Sequence, residues 1–384
     1  MKKGVFGWML FLSLIWFFPL GLAFGNTFYN LGALFSVTGR EAPMGTVERN
    51  TIKMLEEDIN KAGGINGHPL KVFYYDDASE KERAVLAVKK LIQVDQVSAI
   101  VGPSMSSCAM AIIPIVEKEA VPLIACCAAV QIVEPVKKHT FKVVGSSHFQ
   151  IQRMIVDFFK PNRIEKIAVL YVDNAYGKSG LDGILQECSK SGISVIMRET
   201  FGDRDTNMIT QLTKIKGSDA QAVIVWGTNP GPAMIAKNAK EIGLKILLIN
   251  SGGCLNEKFL ELSGQGAEGV YIVGYRMALP EQLPATDRLK PQILKYITDY
   301  KQRYGEATNL FGGNAWEAFM LVVNAMKNVG PDRAKIREYI ENTKNFQGMS
   351  GTYNFSPSDH AGIGLDAYPF ITVVKSGKFT LLSR

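Results

Sequence analysis

The sequence predicts an α/β protein of two lobes, each a doubly wound parallel sheet, on three observations. Short apolar strand patterns alternate with amphipathic helical patterns, as in parallel sheets covered by helices on both faces. The alternation runs once to about residue 146, then restarts at Lys166. At 384 residues the chain is long enough for two cores, and after Gly274 mainly helical text follows that can complete the first lobe.

Taken in order, a first strand is expected over 28–35 and a helix over 45–61, with Val47, Met54, Leu55 and Ile59 on one face. The Gly63-Gly64-Ile65-Asn66-Gly67 run stops that helix. A strand over 70–75 ends at Asp76-Asp77, and Ser79 with Glu82 has the spacing of a capping box opening the next helix. A buried strand over 98–101 turns through Gly102–Ser107 into a helix reaching Glu119, and 121–125 is the next strand. In the second set, strands are expected over 166–172, 193–199, 220–226, 245–249 and 269–273. Helices are expected between them over 178–191, 207–216, 231–242 and 256–262. Three later helices, over 287–304, 314–328 and 332–342, and strands over 352–355 and 368–374 close the chain.

Lys2 and Lys3 precede an uncharged apolar run from Val5 to Phe24, with small residues at Ala23 and Gly25. This is the pattern of a secretory signal peptide cleaved after Gly25. The run is also long enough to span a bilayer, but Pro19 and Gly21 break it near its end. Removal would lower the formal charge from +7 to +5, and the remaining Lys and Arg form no basic block, which argues against nucleic-acid binding. Five Cys (108, 126, 127, 188 and 254) include no CxxC pair, and an odd count leaves at least one thiol unpaired within a monomer. The four His are scattered with no HExxH or Cys/His cluster, so neither a metal nor a cofactor is expected.

Several chemical-looking motifs fail on context. Gly264–Gly269 matches GxGxxG but precedes a strand instead of following one. Gly177-Lys178-Ser179 lacks the first P-loop glycine, because Val172 stands there, and Ser179 lacks the last glycine of GxSxG. The loop Gly102–Ser107 is more informative. It leaves a buried strand and feeds a helix, whose start offers free amides and a partial positive charge. With Ser104, Ser106 and Ser107 it can hold a carboxylate without Lys or Arg, although one serine that merely caps the helix would look the same. Ala125–Val130, Val172–Gly177, Trp226–Pro230 and Asn250–Gly253 also follow strands, where open α/β sheets bind ligands.

Asp58–Gly67 followed by Tyr75-Asp76-Asp77-Ala78, Ile100–Pro103 with Ser106, Tyr176-Gly177, and Gly264–Gly269 with Val270-Tyr271 together resemble the periplasmic leucine/isoleucine/valine-binding proteins, receptors of branched-chain amino-acid ABC transporters. The resemblance spans essentially the whole chain after residue 25. It implies the type I periplasmic-binding fold, with two doubly wound lobes joined by a three-strand hinge. The expected division is 1–25 signal peptide, 26–146 plus 276–354 first lobe, and 147–275 plus 355–384 second lobe.

The resemblance also implies a site. Ser106, beside Ser107, falls on the carboxylate serine, Cys127 and Ala129 on the next loop, and Tyr176 on the stacking tyrosine. Met44 and Thr228 fall on aromatic positions, and Gly252 on the acidic partner of the ligand's ammonium. Ala129 lacks a hydroxyl often present there, and Gly252 lacks the acid, for which Asp173 or Asp203 could substitute. The family's disulfide positions fall on Ser79 and Met105. What is implied is a non-enzymatic, monomeric periplasmic receptor that hands a small ligand to membrane permease subunits. The ligand is an amino acid or, without the ammonium partner, an aromatic or short carboxylic acid or an amide. A ligand sensor for a signalling partner has the same sequence features, while a Ser or Cys hydrolase lacks a recognisable motif.

Overall fold

The computed structural model describes Met1 and residues 28–382; the signal-peptide cleavage expected after Gly25 lies outside them. The first sheet collects β1 (Tyr29–Phe35), β2 (Leu70–Asp76), β3 (Ile100–Val101), β4 (Leu123–Ala125) and β5 (Thr140–Lys142). Helices α1 (Ala42–Lys61), α2 (Lys81–Gln93) and α3 (Ser106–Lys118) connect the first four. Its order is β2-β1-β3-β4-β5 and every pair is parallel.

After α4 (Ser147–Met154), which runs into a π-helical turn at Ile155–Phe159, the chain builds a second sheet. It contains β6 (Lys166–Val172), β7 (Ser194–Phe201), β8 (Ala222–Trp226), β9 (Leu247–Asn250) and β10 (Tyr271–Gly274), linked by α5 (Ala175–Lys190), α6 (Ile209–Lys216), α7 (Gly231–Glu241) and α8 (Glu257–Ser263). Helices α9 (Lys290–Tyr304), α10 (Leu310–Val329) and α11 (Arg333–Glu341) follow, α9 and α10 packing on α1 and α11 on α10. The short hairpin β11 (Phe346–Gln347) and β12 (Thr352–Tyr353) precedes β13 (Phe370–Lys375) and β14 (Lys378–Leu381). The second sheet runs β14-β13-β10-β9-β8-β6-β7, parallel except for the antiparallel β13 and β14 at one edge. Strand β8 is buried throughout and β6 nearly so, as expected of parallel strands covered on both faces.

Both sheets reverse strand order at corresponding places, between β1 and β3 and between β6 and β8. At such a switch point the loops leaving two neighbouring strands diverge and open a crevice at the carboxyl ends. The chain passes between the sheets' layers three times, after β5, after β10 and between β12 and β13. Side chains tie the crossings together. Tyr353 Oη lies 2.5 Å from Val143 O, and Tyr368 donates to Gly145 O at 2.7 Å. The Arg276 guanidinium holds Ser350 O and Asp366 O at 2.6 Å each, with Asp287 Oδ2 at 2.9 Å.

Two local expectations give way. The Ser79/Glu82 capping box does not form: Glu80 is the N-cap of α2, without a side-chain cap. Ser79, at a φ of +65°, instead accepts from Glu41 N at 3.1 Å and donates to Thr38 O. Long-range backbone partners outcompete the local cap. All five cysteines are buried and free, so neither of the two bridges their number allows is formed.

Candidate functional site

One pocket lies where the two switch points face each other, with about 570 Å³ of empty space, part of it open to solvent. Its walls come from the ends of successive strands: Glu41 and Met44 after β1, Ser104–Ser107 after β3, Cys126–Ala128 after β4. From the second sheet come Asn174 and Tyr176 after β6, Thr228 after β8, Gly253 after β9 and Tyr275 after β10. Leu310, Phe311 and Asn314 of α10 close one side.

The serine loop is shaped by Gly102, whose φ is +100° and where a Cβ would meet Leu34 O at 2.0 Å. Helix α3 then starts at Ser106 with no side-chain cap, so none of the serines serves as its cap. Its first internal bond is Ala109 N to Met105 O at 3.0 Å, so the helix gives no partner to the amides of Ser106, Ser107 and Cys108. Ser106 Oγ accepts from Ala129 N at 3.2 Å, joining the β3 and β4 loops. Ser104 faces inward, accepting from Ser36 N at 3.1 Å and donating to the buried Glu48 carboxyl, which burial holds well above the usual carboxylate range.

Behind the β4 loop lies Lys142, 1% exposed, its ammonium donating to Ala128 O at 2.9 Å. Burial lowers its pKa to about 8, while the neighbouring Cys127 opposes the shift. Cys127 in turn is pushed up to about 12 by burial, and burial also raises Cys126. Both are therefore thiols at neutral pH, unsuited to nucleophilic attack.

On the opposite face Asn174 caps α5, its side chain accepting from Gly177 N at 3.1 Å. Tyr176 Oη donates to Ser251 Oγ at 3.1 Å, and its ring lies 5.7 Å from that of Trp226. Thr228 Oγ1 donates to Glu41 Oε1 at 3.3 Å across the gap. Further contacts bridge the two faces: Val130 N donates to Ser179 Oγ at 2.9 Å, and Arg40 pairs with Asp203. Ser179, set aside as a nucleophile, thus joins the two sides.

Six of the eight expected residues, Met44, Ser106, Ser107, Cys127, Tyr176 and Thr228, line this pocket. Ala129 and Gly252 do not; their neighbours Ala128 and Gly253 do. Ala129 is turned inward by its bond to Ser106. Gly252 donates to Gln150 Oε1 at 2.9 Å, and a Cβ there would lie 2.2 Å from Tyr275 Cε2, so the tyrosine ring fills the space an acidic side chain would need. Neither substitute acid lines the pocket. Asp173 pairs with Lys178 at 2.9 Å, and Asp203 is held by Arg40 and by Asn174 Nδ2 at 2.8 Å. Glu41, Tyr275 and the α10 residues are not foreseen, and Asn174 only as part of the Val172–Gly177 loop; an acid just ahead of the first helix is a visible signal only for Glu41. Among the described residues no group of His, Cys, Asp and Glu is placed to hold a metal, and no helix is long and apolar enough to cross a membrane.

A family model described as periplasmic binding protein matches residues 29–378. The leucine-, isoleucine-, valine-, threonine- and alanine-binding protein of Pseudomonas aeruginosa is 27% identical over 326 residues, 83% of each chain. The Leu/Ile/Val-binding protein of Escherichia coli is 24% identical over 283 residues, 71% of this chain and 76% of its own. Among solved structures, an extracellular ligand-binding receptor from Rhodopseudomonas palustris superposes with a TM-score of 0.85 at 24% identity, covering 92% of this chain and 99% of that one. A branched-chain amino acid transporter substrate-binding protein from Streptococcus pneumoniae, in complex with isoleucine, gives 0.78 at 24% identity and the same coverage.

Proposed function

The chain belongs to the periplasmic binding protein family, and from that membership we propose that it captures a small carboxylate-bearing ligand, an amino acid, between its lobes for the permease of an ABC importer. As a member of a solute-binding family it is a receptor and not an enzyme. The single observation that carries the proposal is the pocket itself, where the uncapped start of α3 and the Ser106 hydroxyl face Tyr176 and Thr228 across the interlobe gap. A carboxylate seated on amides and a hydroxyl needs no cationic side chain. The names of the relatives, which state leucine, isoleucine, valine, threonine and alanine, support the ligand class.

The same reading takes cleavage after Gly25, a monomeric receptor, and lobes divided near residues 146, 275 and 354, where the chain crosses between the sheets. A second reading, a carboxylic acid or amide without an ammonium, is favoured by Tyr275 filling the space beside Gly252.

A thermal-shift screen of amino acids, aromatic acids, short carboxylates and amides separates these, because a tight ligand raises the midpoint by mass action. Ser106→Ala is then expected to weaken the best carboxylate ligand about tenfold or more. Unchanged affinity would remove Ser106 from the site.

A further inference from the structure

Glu41 carries the cleft's unmet demand. No Lys, Arg or His lines the inner pocket, and Glu41 is its one carboxylate among the described residues. It is buried at 6% exposure, yet its hydrogen bonding is poor. Oε1 accepts one long bond from Thr228, at 3.3 Å. Arg40 Nε lies 3.1 Å from the same oxygen but makes no aligned hydrogen bond, and the guanidinium is shared with Asp203. Among the described residues Oε2 accepts from none, and it is open to solvent in the cleft; a carboxylate has about four acceptor sites to fill. With Arg40 as its ion-pair partner and Oε2 left to water, this largely buried carboxylate favours a donor that arrives with the ligand and replaces that water when the lobes close.

The opposite lobe offers no alternative, since the ring of Tyr275 excludes an acidic side chain at position 252. The anion-accepting end is fixed by Ser106 and the amides that open α3. We propose that Glu41 is a specificity-determining residue that receives the ligand's ammonium from the first lobe, so that the cleft takes a small zwitterion in preference to a plain carboxylic acid. This rests on the cleft reading above and narrows its ligand class. A plain acid closing into the cleft would strip water from Glu41 without supplying a donor; an ammonium supplies two or three.

Isothermal titration of the mature protein with the tightest L-amino acid of a twenty-member panel, and with its 2-oxo and des-amino analogues, tests this. The wild type is expected to bind the amino acid at least about tenfold tighter than either analogue. Glu41→Gln is expected to weaken the amino acid about tenfold or more while leaving the analogues within about twofold. Glu41→Asp, which keeps the charge, should retain the preference and guards against a folding defect in the first variant. An equal loss for amino acid and analogues, no loss at all, or a wild-type preference for an analogue overturns the role of Glu41. Binding of the amino acid that is insensitive to both Ser106→Ala and Glu41→Gln overturns the cleft reading with it, whereas sensitivity to Ser106→Ala alone overturns only Glu41.

Discussion

Replacing Glu317 with Gln should remove a pH dependence of stability that the wild-type chain carries between its crossing segments. Glu317 of α10 is fully buried, accepting from Ser350 N at 2.5 Å through Oε1. Tyr353 Oη stands 2.5 Å from Val143 O and 2.8 Å from Glu317 Oε2. One phenolic hydrogen cannot serve both acceptors at full strength. A proton on Glu317 resolves the count, because the carboxyl then donates to Tyr353 while Tyr353 donates to Val143. Burial raises the pKa from the ordinary 4.5 to about 7, opposed by the Ser350 amide and the Tyr353 hydroxyl.

Between those two values the folded protein holds a proton that the unfolded chain has released. The stabilisation is therefore complete below about pH 4.5 and is lost as pH rises through about 7. A separation of this size corresponds to about 3 kcal/mol. The side-chain amide of the Glu317→Gln variant cannot ionise, so the difference in unfolding free energy between wild type and variant should change by about 3 kcal/mol across that interval and then level off. Urea unfolding in steps of about one pH unit from about 4.5 to 8.5, followed by both fluorescence and circular dichroism to check that the transitions coincide, measures it. Parallel wild-type and variant curves, or a wild type that gains relative stability with rising pH, would refute the proton count.

Two further outcomes follow from the interlobe contacts. Asp203→Asn removes the partner of Arg40 across the gap; both side chains are partly exposed, at 31% and 20%, so the expected loss of ligand affinity is about twofold to fivefold, visible by titration and reduced in high salt. A loss beyond about a hundredfold would place Asp203 on the ligand itself. Gly252→Ala sets a methyl 2.2 Å from the Tyr275 ring, which is buried and packed edge-on against Tyr368 at 5.2 Å. It should destabilise the chain by about 1–3 kcal/mol in chemical unfolding; a neutral effect would mean that Tyr275 moves freely.

Much of the second sheet was legible. Lys166–Val172 is read to the residue, and Ala222–Trp226 and Gly231–Glu241 within two residues at their ends. Elements with weak patterns were not. Strand β5 is three residues ending in a buried lysine, and α4 opens on Ser-His-Phe-Gln-Ile-Gln with no clean apolar face. Lys142 looks like a surface residue in sequence; its burial follows from the carbonyls of Ala128 and Ala129, which the β4 loop turns toward it.

Local sequence dictates the alternation of strands and helices, the repeat that makes two sheets, and the loops placed at the strand ends. These follow from hydrophobic periods of two and 3.6 residues and from turn chemistry, all local along the chain. Which loop residues face the cleft depends instead on how the folded lobes meet. Gly252 is covered by Tyr275, Asp203 is drawn to Arg40, and Glu41 is brought opposite Thr228, 187 positions away. The charge inside a cleft depends on what two switch points set face to face, and no pattern within either lobe encodes its counterpart in the other.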